Sequence, residues 1–188
     1  MQQQLPTALL QRRGAARIAQ IPPEVLQALN AGQVPTVSLT EFLALDLARL
    51  APCVALHVGL DPRHDLLQDT LAMLPSFKPL KRHGLVARAL YAIAEPLPGR
   101  DAVAHALATH PSDVARSWGA QWVQFADLPL AQGLDAVRRF AADAHFGVRE
   151  MAWMAVREAV AREVDATVML LQPWGGDAGP NIRRFASE

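Results

Sequence analysis

The sequence holds one cysteine, Cys53, among 188 residues. A single thiol excludes an intrachain disulfide, and no Cys/His pair stands at zinc-ligand spacing, so no metal site is expected. Lysine is nearly absent: only Lys78 and Lys81 occur, against sixteen arginines, and aromatics make up 6% of the chain. The formal net charge is zero, so no global positive field announces a polyanionic partner. Long apolar runs are missing too. The most apolar stretch, EFLALDLARLAPCVALHVGL, is interrupted by Glu41, Asp46 and Arg49 and does not read as a membrane span. The opening MQQQLPTALLQRRG lacks the apolar core of a secretory signal. A soluble cytoplasmic protein is the expectation. No P-loop, G-x-S-x-G, H-E-x-x-H or dinucleotide fingerprint appears.

What is present favours helix. Hydrophobic residues supply 51% of the chain, dominated by alanine and leucine, while β-branched runs are scarce. The expected fold is all-α, in a chain long enough to build a real core. Proline and loop signals cut residues 1–99 into short helices. IPPEVLQALNAG has proline at a helix start and an Asn-Ala-Gly stop. SLTEFLALDLARLA opens with a Ser38–Glu41 capping-box pattern. DPRHDLLQDTLAML and LKRHGLVARALYAIAE follow, and PLPG at 96–99 is a turn cluster.

Residues 100–188 are more regular. HPSDVARSWG (110–119), DAHFGVREMA (143–152) and DAGPNIRRFA (177–186) align on Arg116, Arg149 and Arg183, spaced 33 and 34 residues apart. The last two copies share D-A-x-x-x-[VI]-R-x-x-A; His110 and Ala115 stand at the Asp and Val positions of the first. Such a period marks stacked helical hairpins, each a first helix, a tight turn and a second helix bearing the arginine. The domain reading is an irregular helical part, 1–99, continuous with HEAT-like repeats, 100–188, whose third second-helix is cut short at Glu188. That ending is expected to leave Ile182 and Phe185 exposed, an uncapped seam open to a second copy of the chain.

A helical wheel over 148–161 puts Val148, Met151, Ala152, Ala155, Val156 and Ala159 on one buried face. It leaves Arg149, Trp153 and Arg157 as a separate ridge at i, i+4 and i+8. Trp118 and Trp122 occupy offsets matching core positions and are expected to pack inside. Cys53 is expected to be a small buried hydrophobe. The six histidines lie on separate elements, and none is nominated for catalysis.

SDVARSWGAQWV, RRFAADAHFGVREMAWMAVREAV and NIRRFASE resemble the HEAT-like repeat DNA alkylation repair family, the AlkC/AlkD-type DNA glycosylases. The resemblance covers roughly residues 105–188. It implies an α-solenoid whose concave face holds double-stranded DNA in the cytoplasm, associated with the nucleoid. It also implies excision of positively charged N-alkylated bases, without metal or nucleotide cofactor.

An alkylated purine already carries positive charge and leaves without a general acid. The sugar then becomes oxocarbenium-like. A carboxylate can stabilise that charge and steer water, and an aromatic face can hold a cationic base. Trp153, Glu150 and Asp143 are the candidate catalytic residues. Arg116, Arg149, Arg157, Arg183 and Arg184 are the candidate DNA contacts. Alternatives stand beside each. Glu150 and Glu158 also read as solvated or helix-paired residues. Asp143 and Asp177 read first as caps of the helices that follow. The arginines serve equally as repeat-to-repeat donors, and Trp174 as a cap on the hydrophobic seam. From 111 to 188 eight Arg face ten Asp plus Glu, which favours the alternative of a non-catalytic repeat scaffold binding DNA or protein.

Overall fold

The computed structural model describes residues 7–188, and the described residues form helices and no strands. The first six residues of the N-terminal stretch judged for a signal lie outside that range. The helices are α1 (Thr7–Leu10), α2 (Pro23–Asn30), α3 (Leu39–Leu43), α4 (Leu47–His57), α5 (Asp65–Met73), α6 (Pro79–Ala94), α7 (Arg100–Ala108), α8 (Asp113–Phe125), α9 (Leu130–Ala141), α10 (Phe146–Arg162), α11 (Val164–Leu171) and α12 (Pro180–Ser187). No helix among the described residues is long and apolar enough to cross a membrane.

Local chemistry sets the boundaries. Pro23 begins α2 at its first turn, where a missing N–H costs nothing. Gly32 ends it with φ +69°, a left-handed conformation that glycine adopts without steric cost. The stretch read as one helix start at Ser38 is two helices. Ser38 Oγ accepts from Glu41 N at 3.3 Å, but the Glu41 carboxylate does not return to Ser38. It accepts instead from Val37 N and from Arg12 Nε, both at 2.9 Å, so only half the capping box forms. The chain breaks after Leu43, and Asp46 restarts it by accepting from Ala48 N at 3.0 Å.

The main core runs from α4 to α8 without interruption at residue 99: Leu50, Val54, Leu67, Val86, Leu90, Leu107 and Trp118 are fully buried within it. Each large side chain so buried contributes roughly 1.5–3 kcal/mol. Helix α8 lies at its centre, against α6, α7, α9 and α10. As expected, Trp118 and Trp122 are core residues, and the Trp122 indole donates to Ala87 O at 3.1 Å. The Trp118 indole N–H has no partner among the described residues. A second core joins α9, α10 and α12, with Val148, Ala152, Ala155 and Val156 facing inward as the wheel required, while Met151 and Ala159 sit at its margin.

Two expectations are overturned. Cys53 is exposed, because α4 buries Leu47, Leu50, Ala51, Val54 and Ala55, a stripe at helical spacing that leaves position 53 on the opposite side. Ile182 and Phe185 are buried at 4% and 3% exposure. Trp153 and Trp174 both pack on Phe185, one edge-on and one tilted, each with ring centroids 5.6 Å away. The exposed apolar residues near this end are Val164, Val168, Met169 and Leu170 of α11.

Candidate functional site

The repeated arginines do the same local job in all three copies. Arg116 Nη1 donates to the carbonyls of His110 and Pro111 at 2.7 and 3.0 Å. Arg149 Nη1 donates to those of Asp143 and Ala144 at 2.8 and 2.9 Å. Arg183 Nη1 donates to those of Asp177 and Ala178 at 2.7 and 3.0 Å. Each guanidinium therefore folds back over the turn before its own helix. The residue opening that turn is equivalent too. Asp143 Oδ1 and Asp177 Oδ1 accept from the N–H two residues on, both at 2.7 Å. His110 Nδ1 substitutes for the carboxylate and accepts from Ser112 N at 3.0 Å.

Asp143 links two copies. Its carboxylate takes Arg116 Nε at 2.8 Å and Nη2 at 3.2 Å, a two-pronged pair with side chains 15% and 12% exposed. Asp177 pairs instead with Arg138 of α9, through a single guanidinium nitrogen. Arg116 and Asp143 thus satisfy each other, and the Arg116 fork is not free for phosphate. Arg149 and Arg183 donate only to their carbonyls among the described residues, leaving the rest of each fork unpaired. Arg184 lies 3.3 Å from Glu150 and 2.6 Å from Glu188 in exposed pairs.

The ridge expected on α10 is split. Trp153 is half-buried and meets Phe185 edge-to-face, with an interplanar angle of 87°. It lies on the α12 side, beside Val160. Arg157 lies on another side, in a groove with Met154, Glu158 and Leu80. Trp174 is half-buried under Arg138, whose guanidinium carbon is 4.8 Å from the ring centroid, in keeping with a seam cap.

Glu150 lines a cavity of about 180 Å³ between α3, α6, α8 and the start of α10. Phe42 and Phe146 supply aromatic faces, each stacked on a histidine: Phe42 on His83 at 4.5 Å, Phe146 on His145 at 4.8 Å. Asp113, 2% exposed, forms the far wall. It accepts from Thr36 N and Thr36 Oγ1, both at 2.8 Å, and lies 3.4 Å from His145 Nδ1. His145 Nε2 lies 2.8 Å from Thr36 O and its Nδ1 accepts from Gly147 N at 3.2 Å. No lysine or arginine lines the cavity. It continues into the Arg157 groove, with which it shares Leu80, Gln121 and Met151.

Burial pushes the His83 imidazole down to about 4, helped by neighbouring Arg82. His110 is likewise pushed down to about 4 by burial first, then by His57 and Arg116; the His57 and His110 rings are 4.4 Å apart. The scattered histidines thus meet in space: His83 and His145 share the cavity, and His57 and His110 form a pair. His64, His110 and His145 each accept from a backbone N–H two residues on, a local capping role that needs no long-range information.

Sequence reading missed Thr36, Asp113, His83, His145 and Phe146. The bonds from Thr36 span 77 residues to Asp113 and 109 to His145, and no local pattern encodes them. No protein-family model, curated protein or solved structure matches the chain.

Proposed function

We propose that the chain is an α-solenoid of HEAT-like repeats of the DNA alkylation repair type, binding duplex DNA and excising positively charged N-alkylated bases. The observation that carries this reading is the cavity at Glu150. It offers aromatic faces and two carboxylates with no cation in its lining, a setting that favours a planar group of positive charge. The resemblance of residues 105–188 supplies the reaction class. Phosphates would be held by the unpaired parts of Arg149 and Arg183, with Arg157 on the adjoining groove.

Within that reading, Glu150 stabilises the developing positive charge on the sugar and orients water toward its anomeric carbon. The glycosidic bonding pair leaves with the base, which thereby becomes neutral, and the water proton passes to solvent. Asp143 acts through Arg116, as the tie between two repeats. Trp153 acts as packing against Phe185. Incubation with methylated duplex DNA is expected to release 3-methyl- or 7-methylpurine, and Glu150→Gln to slow that release. No release above buffer from folded protein refutes the enzyme reading.

A non-catalytic repeat scaffold is the second reading. It is favoured by the way Arg116, Asp143 and Trp153 are consumed by internal contacts. It requires DNA or protein binding that survives Glu150→Gln and Trp153→Ala. DNA binding through phosphates must weaken steeply with salt, whereas protein binding need not involve DNA at all.

A further inference from the structure

The Glu150 cavity holds more polarity than its bonds consume. Ser117 and Gln121 of α8 and His83 of α6 line it while being 8%, 9% and 6% exposed. Ser117 Oγ and both His83 ring nitrogens have no hydrogen-bond partner among the described residues, and Gln121 makes only a 3.6 Å contact from its amide nitrogen to Met151 Sδ. Buried polar atoms of a folded protein are as a rule paired. None of these three side chains is sealed off, since among the described residues the one polar side-chain atom both fully enclosed and unpartnered is the Trp118 indole nitrogen. All three residues line the cavity, where an occupant can meet these unused donors and acceptors.

We infer that this cavity is a binding pocket for a neutral or cationic planar heterocycle of nucleobase type, stacked on Phe146 and hydrogen-bonded along its edge by Ser117, Gln121 and His83. The lining decides the charge of the occupant. Asp113 repels an anion, the Glu150 carboxylate is already paired with Arg184 outside the lining, and no lysine or arginine lines the cavity to hold one. It also decides the shape. A slot of about 180 Å³ with aromatic faces suits a flat ring with mixed donors and acceptors, since a hydroxyl, an amide and a neutral imidazole each accept, and each donates in one orientation or tautomer. The choice of a nucleobase rests on the proposed function; exclusion of phosphate and carboxylate ligands does not.

The test uses the full chain and three probes: adenine, 7-methylguanosine and inorganic phosphate, titrated by calorimetry. Both heterocycles are expected to bind saturably and phosphate not at all. Ser117→Val and Gln121→Leu are expected to weaken binding by about tenfold each, the loss of one hydrogen bond to a buried group. Phe146→Ala, at a half-exposed position that leaves the core intact, should weaken it similarly while helical circular dichroism stays unchanged. Absence of saturable heterocycle binding overturns the inference, as does binding that Phe146→Ala leaves unaltered. The two proposals fail separately. Methylpurine release without heterocycle binding sinks the pocket alone, and heterocycle binding without release sinks the excision reading alone.

Discussion

Acidification from neutral pH to about pH 5 should destabilise the fold through two histidines. His83 and His110 are buried, at 6% and 3% exposure, with folded-state values near 4 against 6.5 when unfolded. Between those limits the unfolded chain binds more protons than the folded one, so stability rises with pH and is lost as pH falls. The contribution is complete above the unfolded value and disappears progressively down to the folded one. For one such group the linkage integral between pH 7 and pH 5 is about 2 kcal/mol, and for the two together about 4 kcal/mol. His110 adds a structural consequence. Its Nδ1 accepts from Ser112 N, and a proton there abolishes that cap at the start of α8. Urea unfolding followed by tryptophan fluorescence at several pH values measures the loss. The control is the double variant His83→Phe, His110→Asn, which keeps the stack on Phe42 and an acceptor for Ser112 while removing both titrations. Its stability should be nearly flat across the window in which the wild type falls. Parallel losses in the two proteins would refute the assignment to these histidines.

Arg116→Met should cost about 3 kcal/mol, because it strands the largely buried Asp143 carboxylate; Asp143→Asn in a double-mutant cycle should show strong coupling, and independent effects would contradict the observed pair. Trp153→Ala should cost roughly 2–4 kcal/mol through lost packing on Phe185; thermal or urea denaturation checks this, and an unchanged midpoint would return Trp153 to the solvent-facing role. Cys53 should react at once with a water-soluble aromatic disulfide in the folded protein; reaction only after unfolding would contradict its exposure.

The helical class and the recurring arginine turn were legible because both are written locally. Alanine and leucine content, the period of Arg116, Arg149 and Arg183, and the packing offsets of Trp118 and Trp122 need no partner to be read. The turn chemistry was legible as well: Asp143 and Asp177 hold the N–H two residues on, close to the capping role their position implied. The shared role of His110 was hidden because imidazole and carboxylate differ chemically while both accept at that geometry. The α10 wheel failed at Trp153 because it considered one buried face, whereas α10 contacts α8, α9, α11 and α12. Ile182 and Phe185 were misjudged for a related reason: Trp153 and Trp174 of preceding elements cover Phe185, and Ile182 is buried in the core shared with α9 and α10. The cavity was least legible. Its walls come from residues 36 to 151, and only the folded chain brings them together.

Release of methylated purine from duplex DNA is the measurement on which the proposed activity stands. Chromatography of the small-molecule fraction, under single-turnover conditions, should show 3-methyl- or 7-methylpurine appearing with wild-type protein and much more slowly with Glu150→Gln. Both proteins should bind the same DNA with the same salt dependence. Release that is absent, or that Glu150→Gln leaves unchanged, would contradict the assignment of the chemistry to this cavity.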